Sequence, residues 1–381
     1  VEITCIYGVQ GTEDRQLTYL SPEWLDAMIF AVDEAKRLGM GVDLPPGSGW
    51  RMGGPDVKFA ESDAVLSAKQ RAAGRLLGEK VKRPAPGGEG YTINPFSRDS
   101  VERYLNHWGK KTASLPNDSI RASFQDSFEY DGDWSDRLLS KFAQARGYRL
   151  EDHWQELAGE GDPEAVARVK GDYRETLSDL VHEELIVPWV EWSHARGKLA
   201  RNQAHGSPGN WLDLYAASDI PETESFGRLE DDDAHPLIQK FASSAAHVTG
   251  KNLVAAETGT WLDEHFHVTL AELKERIDRQ MLAGVNHVIY HGTAYSPADA
   301  AWPGWLFYAS TQLNPQNPIW RDLLALNSYV ARCQAMLQAG EPSNDLLVYW
   351  PINDVWHDAK GLRKDLRVHN SKDWFFNQPI G

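Results

Sequence analysis

The sequence predicts an α/β fold of the (β/α)8 TIM-type barrel class, and three observations carry that reading. Short β-type runs alternate with amphipathic helical segments, the order of a parallel sheet with crossover helices. Roughly seven such runs occur, close to the eight of a barrel. Polar and charged residues collect at the C-terminal ends of the runs: Asp43, Asp126 and Glu129, Asn202 to His205, Glu222 and Glu224, Glu257 and His291. In a barrel those ends converge on one mouth, where barrel enzymes place their sites. The rival is a doubly wound sheet, and the placement of these groups decides for the barrel.

The elements follow in order. "VEITCIYG" is the first run, and because the chain opens there in mid-strand the barrel is expected to be truncated before its first strand. Ser21 is placed to N-cap a helix with Pro22 in its first turn, an apolar face of Trp24, Leu25, Met28, Val32, Ala35 and Leu38, and Gly39 as its stop. "MGVDL" is the next strand, and "KRPAPGGEGYTINPFS" reads as a connection before a helix over 101–112. "IRASFQDS" is a strand that ends in an acidic cluster, and residues 134–194 are mostly helical. "KLARNQAHG", "DIPETESFG", "NLVAAETGTW" and "VNHVIYHG" are further runs, separated by helices near 237–249 and after the capping box Thr269–Glu272. A helix over 319–339 closes a catalytic domain of residues 1–340, and residues 341–381 are expected to be a linker and the start of a C-terminal domain opening on the strand "DLLVYW".

Composition limits the partners. Lys and Arg total 39 against 55 Asp and Glu, a formal charge of −16 over 381 residues, which argues against nucleic acid, whose binding wants a basic face. No run approaches the ~18 apolar residues of a membrane span. Cys5 and Cys333 form no C-x-x-C spacing. Several motifs fail on inspection. "GSGWRMGGP" has Met52 where a dinucleotide loop needs its third Gly, "VHEELI" lacks the second His of a zinc helix, and "DGDWSD" lacks the sixth-position Gly and the terminal Glu of a calcium loop.

Carboxylates at separate strand ends suit glycoside hydrolysis, which needs one protonated acid and one carboxylate as base or nucleophile. Glu129, Glu222, Glu224 and Glu257 are the candidates, although strand-end acids also cap helices and pair with Arg. Trp50 and Trp261 fall among loop tryptophans suited to stacking on sugar faces, with core packing as the plainer alternative. "ARNQAHG" gathers Arg201, Asn202 and His205, side chains able to read hydroxyl groups.

"YLSPEWLDAMIFAVDEAKRLGMGVDLPPGSGWRMGGP", "VKRPAPGGEGYTINPFS", "DSFE", "ARNQAHG", "DIPETESFG" and "AAETGTW" together resemble the catalytic region of glycoside hydrolase family 106, the α-L-rhamnosidases, over almost the whole chain. The resemblance implies a barrel within a larger multidomain enzyme, inversion at the anomeric centre, a calcium ion near the sugar, and a periplasmic or extracellular setting. It implies Glu129 as general acid and Glu257 as general base, with Glu224 toward calcium. Trp50, Asp126, Arg201, Asn202, His205, Glu222, Trp261 and His291 are expected to line the sugar pocket, with Asp126 as the neighbour that tunes Glu129. Asp131 and Asp133 are expected to be a solvated acidic loop. A retaining glycosidase of other specificity, or a non-catalytic carbohydrate-binding barrel, remains the alternative.

Overall fold

A computed structural model describes residues 1–67, 73–116, 118, 120–227 and 236–367. The chain divides into two compact units, Val1–Ser218 together with Trp350–Leu366, and a second built on Asp219–Tyr349.

The first unit carries three parallel strands among its described residues, β1 (Val42–Leu44), β2 (Ile120–Gln125) and β3 (Leu199–Gln203), with β2 in the middle. Their register sets Asp43 beside Ala122, Phe124 beside Arg201 and Gln125 beside Asn202. The run from Val1 makes a parallel bridge at Glu2 to Asp43 and an antiparallel one at Ile6 to Pro84, without forming a strand. Helix α1 (Pro22–Arg37) begins as its sequence predicts, with the Ser21 hydroxyl accepting from the Trp24 N–H at 3.2 Å. It buries Trp24, Met28, Val32 and Ala35 and leaves Leu38 exposed. Between β1 and α2 (Arg98–Lys111) the connection holds two short antiparallel ribbons, Gly53–Gly54 with Tyr91–Thr92 and Ala64–Leu66 with Gly74–Leu76.

The helical stretch before β3 includes α3 (Pro163–Leu180), a π-helical segment Val181–Ile186 and α4 (Val187–His194). Pro188 has no N–H to donate back into the preceding turn, and a π turn is one way to accommodate that loss. The widened turn also presents Glu184, which is 2% exposed, to the start of α2. Its carboxylate accepts from the Arg98 N–H at 3.0 Å and from Arg137 Nη1 at 2.6 Å. An acid at a helix N-terminus satisfies an otherwise orphaned donor.

The second unit carries β4 (Ile220–Phe226), β5 (Ala255–Thr260) and β6 (His287–Tyr290), again parallel, with β5 central. Its helices are α5 (Pro236–Val248), α6 (Leu270–Leu282) and α7 (Trp320–Ala339). The predicted capping box is present, with Thr269 accepting from the Glu272 N–H and Glu272 accepting from the Thr269 N–H. Apolar faces of α6 and α7 meet in a core that includes Leu273, Ile277, Leu323, Leu326 and Val330.

The α/β class and the parallel strands therefore match the sequence reading, with three parallel strands in each unit among the described residues. "DLLVYW" forms no strand, and Leu346 and Leu347 are 84% and 93% exposed. Residues 350–366, expected to open another domain, belong instead to the first unit. The cause is long-range. The buried Arg174 guanidinium donates to the carbonyls of Leu362 (2.8 Å), Asp358 (2.8 Å), Lys360 (2.7 Å), Gly361 (2.9 Å) and Trp356. Hydrogen bonds from a charged donor are worth about 1.5–3 kcal/mol each before redundancy. Arg174→Met is accordingly expected to destabilise the protein by roughly 3 kcal/mol or more and to make residues 350–366 the first site of limited proteolysis.

Candidate active site

In the first unit the site is built on the loop that leaves β2. That loop is pinned along its length. The Phe128 N–H donates to the His205 carbonyl at 2.7 Å, Arg363 donates to the carbonyls of Tyr130 (2.7 Å) and Gly132 (2.5 Å), and the Gly132 N–H donates to Asp63 Oδ2 at 2.8 Å. Asp133 is 7% exposed and accepts from the Leu66 N–H at 2.7 Å. It is thus a buried structural acid rather than the solvated rim residue the sequence suggested, while Asp131 is exposed. Close approach at the other anchor needs glycine. Gly206 sits at φ +81°, and a Cβ there would lie 2.1 Å from the Phe128 carbonyl oxygen.

Glu129 projects from this pinned loop. Lys82 Nζ contacts its Oε2, and Ser127 Oγ lies 3.4 Å from its Oε1. Asp126, expected to tune Glu129, accepts from the Ser127 N–H at 2.7 Å. Trp50 and Lys82 are joined by reciprocal backbone hydrogen bonds of 3.2 Å, so the tryptophan stands on the segment that delivers the lysine. Trp50, Gln125, Asp126, Ser127 and Tyr130 line a small cleft here. Lys82 was missed because "VKRPAPGGEG" carries no periodicity and its partner lies 47 residues away.

Asn202, fully buried beside Gln125, donates to the Leu214 carbonyl at 3.4 Å. His205 is 7% exposed, with its ring 6.3 Å from that of Trp211. Arg201, expected to read sugar hydroxyls, is fully buried over the Phe124 ring. It is paired with Glu2 and stands 3.0 Å from Asp43.

In the second unit, parallel register sets Glu224 directly beside Glu257 on adjacent strands, and the period of two puts Glu222 on the same face as Glu224. Glu222 and Glu224 are almost fully buried. Glu257 Oε1 accepts from Thr260 Oγ1 at 2.5 Å and lies 3.3 Å from His291 Nδ1, and that nitrogen is 3.0 Å from Thr260 Oγ1. The Phe307 ring meets the His291 ring edge-on at 5.3 Å. Glu257 is thereby held at Oε1 by two side chains. Trp261, expected at the sugar, is 4% exposed in the core of this unit, its indole N–H on the Glu264 carbonyl at 3.0 Å. Among the described residues no group of three or more His, Cys, Asp or Glu side chains is arranged to hold a metal ion.

One titration bears on the pinned loop. Burial pushes the Asp63 carboxyl up to about 7 from 3.8, opposed by the N–H groups of Gly132 and Ala64 and by Arg363. The folded state then holds a proton that the unfolded chain releases, so stability is expected to fall as pH rises from about 4 to about 7. The full effect of this shift is of the order of 4 kcal/mol. Denaturant unfolding at pH 5 and pH 8 should show a larger decline for the wild type than for Asp63→Asn.

Comparison with known proteins decides the family. The family model of glycoside hydrolase family 106, described as alpha-L-rhamnosidase, matches residues 70–359. The chain belongs to this family. A Formosa agariphila protein named "Putative beta-glucuronidase" is 30% identical over 335 residues, covering 77% of this chain and 28% of that protein. The solved rhamnosidase from Novosphingobium sp. PP1Y is similar at 26% identity and a TM-score of 0.58, over 70% of this chain and 27% of its own. A beta-galactosidase from Marinomonas ef1 shares the fold, with 14% identity, a TM-score of 0.52, and coverage of 88% and 57%. This family 106 chain thus spans little more than a quarter of the length of its Formosa and Novosphingobium relatives.

Proposed function

We propose that this chain is the catalytic barrel region of an inverting α-L-rhamnosidase acting on rhamnosylated glycans or glycosides outside the cytoplasm. Family membership supports the reaction class. The single structural observation that supports the roles is the different tethering of Glu129, on the loop after β2, and Glu257, within β5. Glu129 sits on a pinned loop with a lysine on one oxygen, whereas Glu257 is oriented by Thr260 and His291. In the reaction Glu129 gives its proton to the glycosidic oxygen, which leaves with the electrons of the broken C–O bond. Glu257 takes a proton from a water that attacks the anomeric carbon from the opposite face. Inversion requires about 6.5–9.5 Å between the two carboxyl groups, leaving room for that water.

The described acids do not preassemble a calcium cage. Calcium is proposed from the family resemblance alone, with Glu224 as a protein ligand completed by sugar hydroxyls and other oxygens. Chelation of the complete enzyme should abolish most activity and added Ca2+ should restore it, while unchanged turnover after exhaustive chelation removes the ion from the proposal.

Activity of the complete parent chain on an aryl α-L-rhamnoside tests the function, with NMR of the first anomer released separating inversion from retention. The name of the Formosa protein favours a second reading, cleavage of β-glucuronides. It predicts turnover of an aryl β-glucuronide and none of the rhamnoside. Sugar binding without any turnover would leave only a carbohydrate-binding barrel.

A further inference from the structure

Glu129 has two oxygens, and the structure treats them differently. Oε2 is contacted by the Lys82 ammonium, while Oε1 faces the Ser127 hydroxyl at 3.4 Å. The lysine is not a loosely placed surface charge. Its backbone exchanges two hydrogen bonds with Trp50, and the neighbouring Gly49, at φ +68°, lets the chain approach so closely that a Cβ there would lie 1.9 Å from the Lys82 carbonyl oxygen. Lys82 and Glu129 side chains are 39% and 28% exposed, so both heads are partly withdrawn from water yet open to a ligand.

A lysine ammonium has three donors and no acceptor. An oxygen engaged by it can accept but cannot present a proton to it. When the Glu129 carboxyl is neutral, its single O–H must therefore reside on Oε1, where a hydroxyl can accept and reorient. We propose that Lys82 is a positioning residue for the general acid: it occupies Oε2, leaves Oε1 as the oxygen that delivers the proton, and stabilises the carboxylate that forms as the proton departs. The proposal rests on the reading of Glu129 as the acid. The interaction strengthens as the O–H bond breaks and charge develops, so it favours the transition state over the substrate complex in which Glu129 is protonated.

Such a role depends on how much help the leaving group needs. The complete enzyme would be assayed with a dinitrophenyl α-L-rhamnoside, whose leaving group departs without protonation, and with methyl α-L-rhamnoside, whose leaving group does not. Lys82→Met is expected to lower kcat/KM about 10–100-fold on the methyl glycoside and less than about 3-fold on the dinitrophenyl one, and Lys82→Arg should recover most of the loss. Glu129→Gln should show the same asymmetry with larger losses. A loss for Lys82→Met that is equal on both substrates, or no recovery by Arg, overturns the positioning role while leaving Glu129 as the acid. If Glu129→Gln shows no dependence on the leaving group, the acid assignment fails and the lysine proposal fails with it. Thermal melts of each variant separate a folding defect from either result.

Discussion

Glu257→Gln in the complete enzyme is expected to lower kcat by about 10²–10⁴-fold, the range a positioned general base supplies. At 1.36 kcal/mol per tenfold, that corresponds to about 3–5.5 kcal/mol of lost transition-state stabilisation. The substitution keeps shape and burial but removes the charge proposed to accept the proton of water. Binding of a rhamnoside should be little affected, since the carboxylate is assigned to the water and not to the sugar. Glu257→Ala leaves space for a small anionic nucleophile, so added azide should restore turnover and give a glycosyl azide of inverted configuration. An azide product of retained configuration would instead make Glu257 the acid/base of a retaining enzyme. Thr260→Val isolates orientation, because it removes the 2.5 Å hydrogen bond to Glu257 Oε1 without touching the carboxylate. A loss of about tenfold in kcat with an unchanged KM is expected, in keeping with orientation contributing less than the base itself.

The same residues show where sequence reasoning reaches and where it stops. Helix caps at Ser21 and Thr269 and the strands that lead to Glu129 and hold Glu257 were legible, because caps and period-two runs are local signals, although Glu129 lies four residues past its strand and Glu257 lies within its own. The neighbours of those acids were less so. Lys82 reaches Glu129 from a segment with no regular pattern, and Asp133 turns inward to Leu66 across 67 residues of chain. Residues 350–366 fold back because one buried arginine collects their carbonyls, a many-to-one contact that no window of sequence displays. Composition marked Trp261 and Arg201 as sugar-reading types, yet the same properties, a large apolar ring and a rigid donor fork, suit a core and a buried ion network equally well. Residue type restricts the possible partners, and only long-range packing selects among them.

Asp43→Ala is expected to cost about 3–5 kcal/mol, the range for removing one partner of a buried ionic network. Asp43 is 1% exposed at β1, with Arg121 Nε 2.8 Å from one oxygen and Arg201 Nη1 3.0 Å from the other; Arg201 itself is fully buried and also paired with Glu2. Removing the Asp43 carboxylate leaves a buried guanidinium with less counter-charge, and that residual charge rather than the lost pair sets the penalty. Arg201→Met in the Asp43→Ala background should therefore recover a large part of the loss, because the uncompensated charge leaves with it. Chemical denaturation of the single and double variants measures the coupling. This network also separates two duties for Arg201. If it braces β1 against β3, Arg201→Met alone lowers stability and reduces kcat and binding only in step with the folded fraction. If it reads the sugar, KM rises with stability held constant, and the buried pairing with Glu2 and Asp43 makes the first outcome the expected one.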